Sequence, residues 1–303
     1  MSASLASAPP IGDRLPLWIR TRPPGGTRYP EVRGAVADLG LGTVCQEARC
    51  PNLAECWSAG TATIMLLGTD CSRRCTFCAV TTHWSAGAVD RSEPARVAEG
   101  VRRWGLRYVV LTQVCRDDLP DGGAGLMAAT VRAIRSTSPS TRVELLIGDL
   151  GGSGEALASI LADAPEVLAH NLETVRRLSL DVRDHRAGYD RSLGVLERAK
   201  AEATGPLVTK SSIMLGLGEI DDELDEALAD LRDVDVDLLT LGQYLRPTPA
   251  HRPVARYILP DEFDRWRARA LALGFRGVEA GPLVRSSYHA DELFAAARAA
   301  RVS

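Results

Sequence analysis

The stretch that decides the fold is TIMLLGTDCSRRCTFC, at residues 63–78. It begins with an apolar run that ends at Gly68, and three cysteines follow, Cys71, Cys75 and Cys78, with the spacing C-x3-C-x2-C. A short apolar run closed by glycine is typical of a buried strand that leads into a loop. We therefore predict that these three cysteines lie on a loop directly after a buried strand.

A second cysteine triplet precedes this stretch. Cys45, Cys50 and Cys56 form C-x4-C-x5-C within CQEARCPNLAEC, and the seventh cysteine, Cys115, stands apart. Disulfides explain such clustering poorly in a cytosolic protein, and structural zinc requires four ligands, whereas the one histidine within reach in sequence is His83. Iron-sulfur clusters are held by cysteine thiolates, normally four. Each triplet therefore predicts a cluster with one iron atom left for a different ligand.

Composition narrows the class of protein. The 303 residues include 36 basic and 39 acidic side chains, a net charge of -3, and 45% of the residues are apolar. This balance is typical of a soluble globular protein and gives no broad positive field for nucleic acid. No run approaches the roughly 18 apolar residues of a membrane helix, and Met1 to Pro16 lacks the apolar core of a signal peptide. We expect a cytoplasmic protein without nucleic-acid or membrane partners.

The rest of the chain alternates predicted strands with predicted helices. Such alternation indicates parallel βαβ units, and about six units span residues 62–280, fewer than the eight of a closed barrel. We predict an α/β fold, an open partial (β/α)6 TIM-like barrel at residues 61–280, with an N-terminal extension at 1–60 and a C-terminal tail at 281–303. The predicted strands are 63–68, 107–112, 142–147, 167–169, 207–215 and 236–241; the predicted helices are 94–104, 125–135, 153–162, 189–203, 221–233 and 260–273.

Polar segments follow several of these strands. A barrel of this kind carries its chemistry at the carboxyl ends of its strands, which makes these segments candidate cofactor contacts. The simpler interpretations are solvated turns for the Asp- and Gly-rich segments and a buried, hydrogen-bonded histidine for His170. The segments are 115–123, 170–174 and 216–219.

Several longer motifs of the chain resemble those of a known enzyme family. The C-x3-C-x2-C spacing, with Phe77 directly before Cys78, resembles the signature of the radical S-adenosylmethionine (SAM) enzymes. Over residues 40–292 the chain resembles the lipoyl synthase family more specifically. Besides both cysteine triplets, the resemblance rests on RDDLPDGG at 116–123, LTLGQYLRPT at 239–248 and GPLVRSSYHA at 281–290.

The resemblance implies two 4Fe-4S clusters. Cys71, Cys75 and Cys78 would hold the cluster that binds and reductively cleaves SAM. Cys45, Cys50 and Cys56 would hold an auxiliary cluster that donates two sulfur atoms to carbons 6 and 8 of a protein-bound octanoyl chain. The family uses a serine of the RSSY motif as fourth ligand; Ser287 is favoured as metal ligand and catalytic residue, with Ser286 as the alternative.

Further roles are implied less directly. Asn171, Glu173, Met214, Gly216 and Glu219 are expected to contact SAM. Arg246 and Lys210, which follow strands, are expected to steer the carboxylate of the cofactor or an acidic carrier domain. A strand-end turn is the simpler interpretation of Gly216 and Gly218.

The implied partners are proteins. They are an octanoylated lipoyl-carrier domain or the glycine cleavage H protein, a ferredoxin or flavodoxin as electron donor, and an iron-sulfur carrier that rebuilds the auxiliary cluster. Three alternatives stay open: a paralogue with a different acyl acceptor, a non-catalytic iron-sulfur module, and a zinc-binding regulator. The chain departs from the family pattern at Thr69, Gln113, Cys115, Gly148 and Ser212.

Overall fold

A computed structural model describes residues 15–20, 28–58, 63–84 and 87–299. Most of the segment from Met1 to Pro16, on which the signal-peptide expectation depends, lies outside these ranges. No helix within them is long and apolar enough to cross a membrane.

The main sheet has eight strands, whose spatial order follows their order along the chain. All neighbouring pairs are parallel except the first, in which a two-residue strand runs antiparallel to the next. A small separate sheet of two short strands carries the first cysteine of the C-x3-C-x2-C loop. The main sheet contains β1 (Gly42–Thr43), β2 (Thr63–Leu66), β5 (Tyr108–Gln113), β6 (Arg142–Leu146), β7 (Val167–Ala169), β8 (Val208–Leu215), β9 (Leu238–Gln243) and β10 (Gly277–Gly281); the small sheet contains β3 (Asp70–Cys71) and β4 (Thr81–Thr82).

Eleven α-helices are found in the described ranges, and most connect successive parallel strands. Their apolar faces pack against the sheet, as expected when each strand is buried on both sides. The helices are α1 (Arg28–Asp38), α2 (Val44–Glu47), α3 (Leu53–Ser58), α4 (Glu93–Trp104), α5 (Ala124–Thr137), α6 (Gly154–Leu161), α7 (Ser179–Val182), α8 (Tyr189–Glu202), α9 (Asp221–Asp233), α10 (Pro260–Ala272) and α11 (Ala290–Ala299).

The predicted α/β architecture is confirmed, and the structure adds one parallel strand to it. All six predicted strands form, and the sheet order β2-β5-β6-β7-β8-β9-β10 extends the barrel wall by β10. The sequence GVEAG of β10 contains two glycines and a glutamate, so local propensity does not indicate a strand. Pairing with β9 along its whole length stabilises it instead. A Cβ at Gly277 would lie 2.9 Å from side-chain atoms of Leu238 and Leu293, so glycine is required where α11 packs.

Candidate active site

The loop from Cys71 to Cys78 lies at the carboxyl end of the barrel, directly after β2. The backbone N–H of Arg73 donates to Sγ of Cys71 at 3.4 Å, and the N–H of Asp184 donates to Sγ of Cys75 at 3.3 Å. The sulfur of Cys78 accepts from the N–H of Val80. Such N–H···S bonds favour the thiolate form that binds iron and tune a cluster bound by it. Each of the three sulfurs thus accepts a hydrogen bond from a backbone N–H group that stabilises the thiolate.

Two buried ion pairs fix this loop from one side. The Arg73 guanidinium lies 2.7 Å from Asp117 and 2.6 Å from Asp149, and the side chains of Arg73 and Asp149 are almost fully buried. Ser72 Oγ donates to the same Asp117 carboxylate at 2.6 Å. Asp117 belongs to the RDDLPDGG motif, so that segment positions the cysteine loop through an arginine and a serine.

A second anchor holds the loop from the side of α7. The Arg186 side chain donates to the carbonyl of Ser72 at 2.7 Å and to Asp184 at 2.8 Å. Asp184 accepts in turn from the backbone N–H of Arg74 at 2.8 Å. The backbone between the first two cysteines is therefore held at both ends.

Two of the three loop thiols, those of Cys75 and Cys78, stay protonated when no iron is bound. Burial raises the pKa of Cys75 to about 11 and that of Cys78 to about 12, and the charge of the other loop cysteines adds to both shifts. Iron must therefore displace protons when it binds. Within the described ranges no three His, Cys, Asp or Glu side chains converge on a single ion position. A four-iron cluster does not need such convergence, because it binds each cysteine through a different iron atom.

Cys115 contacts this loop. Its side chain hydrogen-bonds with that of Cys71, which lowers the pKa of the Cys71 thiol. A Cβ added to Gly148 would lie 3.3 Å from Cys115 Sγ and 3.1 Å from Gln113 Nε2. Three departures from the family pattern, at 113, 115 and 148, are therefore neighbours in one packing contact.

Residues from β7 and β8 lie beside the cysteine loop. The backbone N–H of Glu173 donates to Ser212 at 3.0 Å, and the N–H of Met214 donates to the carbonyl of Glu173 at 2.9 Å. Asn171 Nδ2 donates to Glu173 Oε1 at 3.1 Å, while Asn171 Oδ1 is buried without a partner in the described part of the chain. Burial raises the pKa of Glu173, and its charge reaches Cys75. Asn171, Glu173 and Met214 are therefore brought together, with an acceptor free for a ligand.

His170 is a structural residue, as its simpler interpretation predicts. Its Nδ1 lies 2.9 Å from the carbonyl of Ile147 and its Nε2 lies 2.8 Å from Ser192 Oγ, and the side chain is buried. Burial, followed by the charge of Arg183, lowers the pKa of His170 to about 4. The ring is therefore neutral at physiological pH.

Gly216 and Glu219 form a tight turn after β8. Gly216 has φ +93°, and a Cβ there would lie 2.3 Å from Gln243 Nε2 and 2.4 Å from the carbonyl of Arg256. The Glu219 carboxylate accepts from the N–H groups of Gly216 at 2.6 Å and Leu217 at 2.9 Å. Both residues shape the turn, and for Gly216 this is the strand-end interpretation.

The first triplet lies against the C-terminal RSSY segment. Ser287 Oγ accepts from Thr63 Oγ1 at 2.8 Å, and the backbone of Thr63 hydrogen-bonds Cys45. The charge of Cys50 acts on Arg285, whose side chain is partly buried. Elements from residues 45–56, β2 and residues 285–288 therefore meet at one place, and Thr63 links Ser287 to Cys45.

Two more contacts complete this arrangement. Asn52 Nδ2 donates to the carbonyl of Leu283 at 2.6 Å, and the Tyr288 hydroxyl donates to Glu55 at 3.1 Å. Both bonds join the first triplet segment to the C-terminal tail. Local sequence patterns gave no sign of either contact, since the partners are more than 200 positions apart.

The predicted role of Lys210 in steering a carboxylate is wrong. Its Nζ lies 2.8 Å from Glu144 Oε1, and each side chain is 1% exposed. The Tyr108 hydroxyl donates to the other oxygen of Glu144 at 2.6 Å. Lys210 lies near the start of β8, away from the carboxyl end of the barrel, and its side chain is on the same face of the sheet as Glu144 of β6. Arg246, in contrast, is exposed in the loop after β9 and donates to the carbonyl of His251 at 2.8 Å.

Comparisons with known proteins agree with this geometry. The sequence model of the radical SAM superfamily matches residues 65–231, and that of the N-terminal domain of lipoyl synthase matches residues 9–50. The lipoyl synthase of Thermus thermophilus is 56% identical over 285 residues, covering 94% of this chain and 88% of the relative. That of Halorhodospira halophila is 56% identical over 280 residues, covering 92% and 84%.

Solved structures support the fold alone. The FeFe-hydrogenase maturase HydG from Carboxydothermus hydrogenoformans superposes with a TM-score of 0.58 at 14% identity, covering 88% of this chain and 68% of that one. Methylornithine synthase superposes with a TM-score of 0.51 at 14% identity, covering 77% and 68%. Together with the family matches, the identities of more than 50% show that the chain belongs to the lipoyl synthase family of radical SAM enzymes.

Proposed function

We propose that this chain inserts two sulfur atoms at carbons 6 and 8 of a protein-bound octanoyl-lysyl group, as a lipoyl synthase. The observation that carries the proposal is the placement of both cysteine triplets. One lies on the loop after β2 beside Glu173, and the other meets Thr63, at the start of β2, and Ser287 of the C-terminal tail. A radical-generating site and a sulfur-donating site would thus share one strand of the barrel.

The residues divide between two clusters. Cys71, Cys75 and Cys78 would hold the radical SAM cluster, and Cys45, Cys50 and Cys56, with Ser287, would hold the auxiliary one. When bound, the two clusters supply the electron that cleaves SAM into a hydrogen-abstracting radical and the sulfur atoms that are inserted. A serine oxygen is a harder ligand than thiolate for a soft iron-sulfur site, which suits a ligand that leaves when sulfur is removed.

The chain's own polar groups would bind and orient SAM. Asn171 Oδ1, buried and without a partner in the described ranges, offers an acceptor for the amino group of SAM. Met214 is held beside it through the backbone of Glu173. Glu219 would act indirectly, because its carboxylate fixes the Gly216 turn rather than facing a ligand.

The same activity assigns a role to each of the three parts of the chain and requires protein partners. Residues 1–60 would form the auxiliary-cluster extension, 61–280 the radical SAM barrel and 281–303 the tail that closes the auxiliary site. The acyl substrate would be carried by a lipoyl domain or H protein, and a ferredoxin or flavodoxin would supply electrons. An iron-sulfur carrier would rebuild the auxiliary cluster in the cytoplasm.

Cysteine variants test the division of labour. Iron-loaded protein is incubated anaerobically with SAM, dithionite and an octanoyl-lysyl peptide, and deoxyadenosine and peptide mass are followed together. Cys45→Ala should abolish sulfur gain but retain SAM cleavage, whereas Cys71→Ala should lose both. Cys115→Ser is the matched control and should retain both, since Cys115 contacts a proposed ligand without serving as one. Loss of SAM cleavage in Cys45→Ala would contradict the assignment.

Serine variants test the fourth ligand. Ser287→Ala should change the Mössbauer spectrum of the auxiliary cluster, and Ser286→Ala should leave it unchanged, because Ser287 Oγ accepts from the side chain of Thr63, whose backbone hydrogen-bonds Cys45. The Cys71→Ala background isolates the auxiliary signal from that of the other cluster. The opposite pattern would assign the ligand to Ser286.

A further inference from the structure

An exposed tryptophan lies on the outer side of the cysteine loop. Trp84 is 64% exposed, and the Arg186 guanidinium lies 5.1 Å from the centre of its ring. The same guanidinium donates to the carbonyl of Ser72 at 2.7 Å, between the anchored cysteines. A large aromatic side chain is thus held next to the cluster loop while most of its surface faces solvent. Exposed aromatic groups with arginine neighbours are typical of binding surfaces.

Arginines without acidic partners surround the same loop. Arg74 is exposed between Cys71 and Cys75, and in the described ranges neither it, Arg246 nor Arg252 forms an ion pair. The backbone N–H of Arg252 donates to Thr76 at 3.0 Å. Many arginines elsewhere pair with a carboxylate, and the chain as a whole carries a net charge of -3. Three guanidinium groups without an ion pair in the described ranges therefore lie around this loop.

We name this surface the loop rim and define it by Arg74, Trp84, Arg186, Arg246 and Arg252. Its segments are joined to the loop by direct contacts, since His251 Nε2 lies 3.0 Å from the carbonyl of Cys78. Asp181 is exposed in α7, where its carbonyl accepts from Thr76 Oγ1, and it opposes part of the positive charge. Arg186 is already paired with Asp184 and Asp117. The three unpaired arginines of the rim outnumber Asp181, so the rim attracts acidic surfaces.

We propose that the loop rim is the docking surface for a small acidic one-electron carrier protein. This inference rests on the proposed function, because it concerns how the cluster held by Cys71, Cys75 and Cys78 is reduced. One electron passes from the reduced carrier to the cluster, so the carrier is oxidised by one electron and no bond or proton moves. Arg74 and Thr76 are exposed within the loop itself, so a carrier on the rim comes close to the cluster ligands. Positive charge would steer its approach, and Trp84 would be the central contact.

The test compares two reductants on the iron-loaded full chain. Deoxyadenosine formation is measured with dithionite, which needs no docking surface, and with an acidic flavodoxin reduced by its reductase. The variants are Trp84→Ala and Arg74→Gln, alone and combined. The matched control is Arg107→Gln, because Arg107 is exposed just before β5, at the opposite end of the barrel. We expect the flavodoxin-driven rate at low flavodoxin concentration to fall about tenfold in the double variant, as for loss of a binding hot spot.

The other measurements separate a docking role of the rim from a role in the structure of the protein. The dithionite-driven rate of the variants should stay within about twofold of the wild-type rate. Added salt should lower the flavodoxin-driven rate of wild type by a larger factor than that of the double variant, because salt screens the charges of the rim. Equal losses with both reductants, or no loss with flavodoxin, would overturn the proposal. So would a loss seen only when an octanoylated carrier domain replaces the octanoyl-lysyl peptide with dithionite, which would assign the rim to the acyl carrier. If the proposed function itself is wrong, wild-type protein fails to insert sulfur with dithionite and peptide.

Discussion

Replacing Lys210 tests whether this buried cation stabilises the barrel or serves the cofactor. Lys210 and Glu144 are each 1% exposed and 2.8 Å apart, and Tyr108 donates to Glu144 at 2.6 Å. Lys210→Met removes the cation but fits its volume, so Glu144 is left buried with the tyrosine hydroxyl. Breaking a buried pair in this way costs about 3–5 kcal/mol. We expect the free energy of unfolding, measured by urea titration of iron-free protein with circular dichroism, to fall by that amount.

A second variant separates the ion pair from simple packing. In Lys210→Met combined with Glu144→Gln neither position carries a charge, and the amide oxygen still accepts from Tyr108. This double variant should recover most of the lost stability, because it no longer leaves an unpaired charge. SAM affinity of the folded, iron-loaded variants should match wild type. The reasoning is refuted if Lys210→Met changes stability by less than about 1 kcal/mol, the size of an ordinary exposed ion pair, yet abolishes SAM binding.

Three further predictions concern other buried groups. His170 has a pKa of about 4 in the folded state against 6.5 in the unfolded state, so the unfolded chain binds more protons in acid. The free energy of unfolding should therefore fall by about 3 kcal/mol as the pH drops from 6.5 through 4. Urea titrations at several pH values compare wild type with His170→Gln, which should lack this fall. Gly216→Ala should lower the free energy of unfolding by about 3 kcal/mol in thermal unfolding, because the new Cβ would clash with Gln243 and the Arg256 carbonyl. Gly194→Ala is the control and should not destabilise the protein, since nothing lies within 4 Å of its Cβ. In iron-free protein at about pH 8.5, iodoacetamide should modify Cys75 and Cys78 at rates lower by more than about tenfold than that of an unfolded cysteine peptide. Their pKa values of about 11 and 12 keep the thiols protonated, and the higher nucleophilicity of the remaining thiolate offsets only part of this loss. Mass spectrometry of the peptides measures the rates, and equal rates would contradict the prediction.

The main lines of the fold are visible in the sequence because they are local. Apolar runs followed by glycine or polar residues predict the six strands, and helical periodicity predicts the helices between them. β10 is missed because its glycines and glutamate have low strand propensity, and only pairing with β9 and packing of Leu293 from α11 make it a strand. Local patterns do not contain that information.

The site is visible only in part for the same reason. Cysteine spacing predicts the metal ligands, and motif order identifies the family. The bond between Thr63 and Ser287 joins residues 224 positions apart, and the anchoring of Arg73 by Asp117 and Asp149 also depends on the folded barrel. The steering role predicted for Lys210 is wrong because its partner, Glu144, is contributed by another strand. A lone lysine in a strand pattern does not reveal whether it faces a ligand or a buried carboxylate.

The source of the inserted sulfur tests the central claim most directly. Protein whose clusters are rebuilt with heavy-isotope sulfide is given SAM, dithionite and an unlabelled octanoyl-lysyl peptide for a single turnover, and the product is analysed by mass spectrometry. The account predicts two heavy sulfur atoms per product from wild type and none from Cys45→Ala, although deoxyadenosine still forms in that variant. Deoxyadenosine from wild type without sulfur in the peptide would contradict it, as would sulfur insertion by Cys45→Ala.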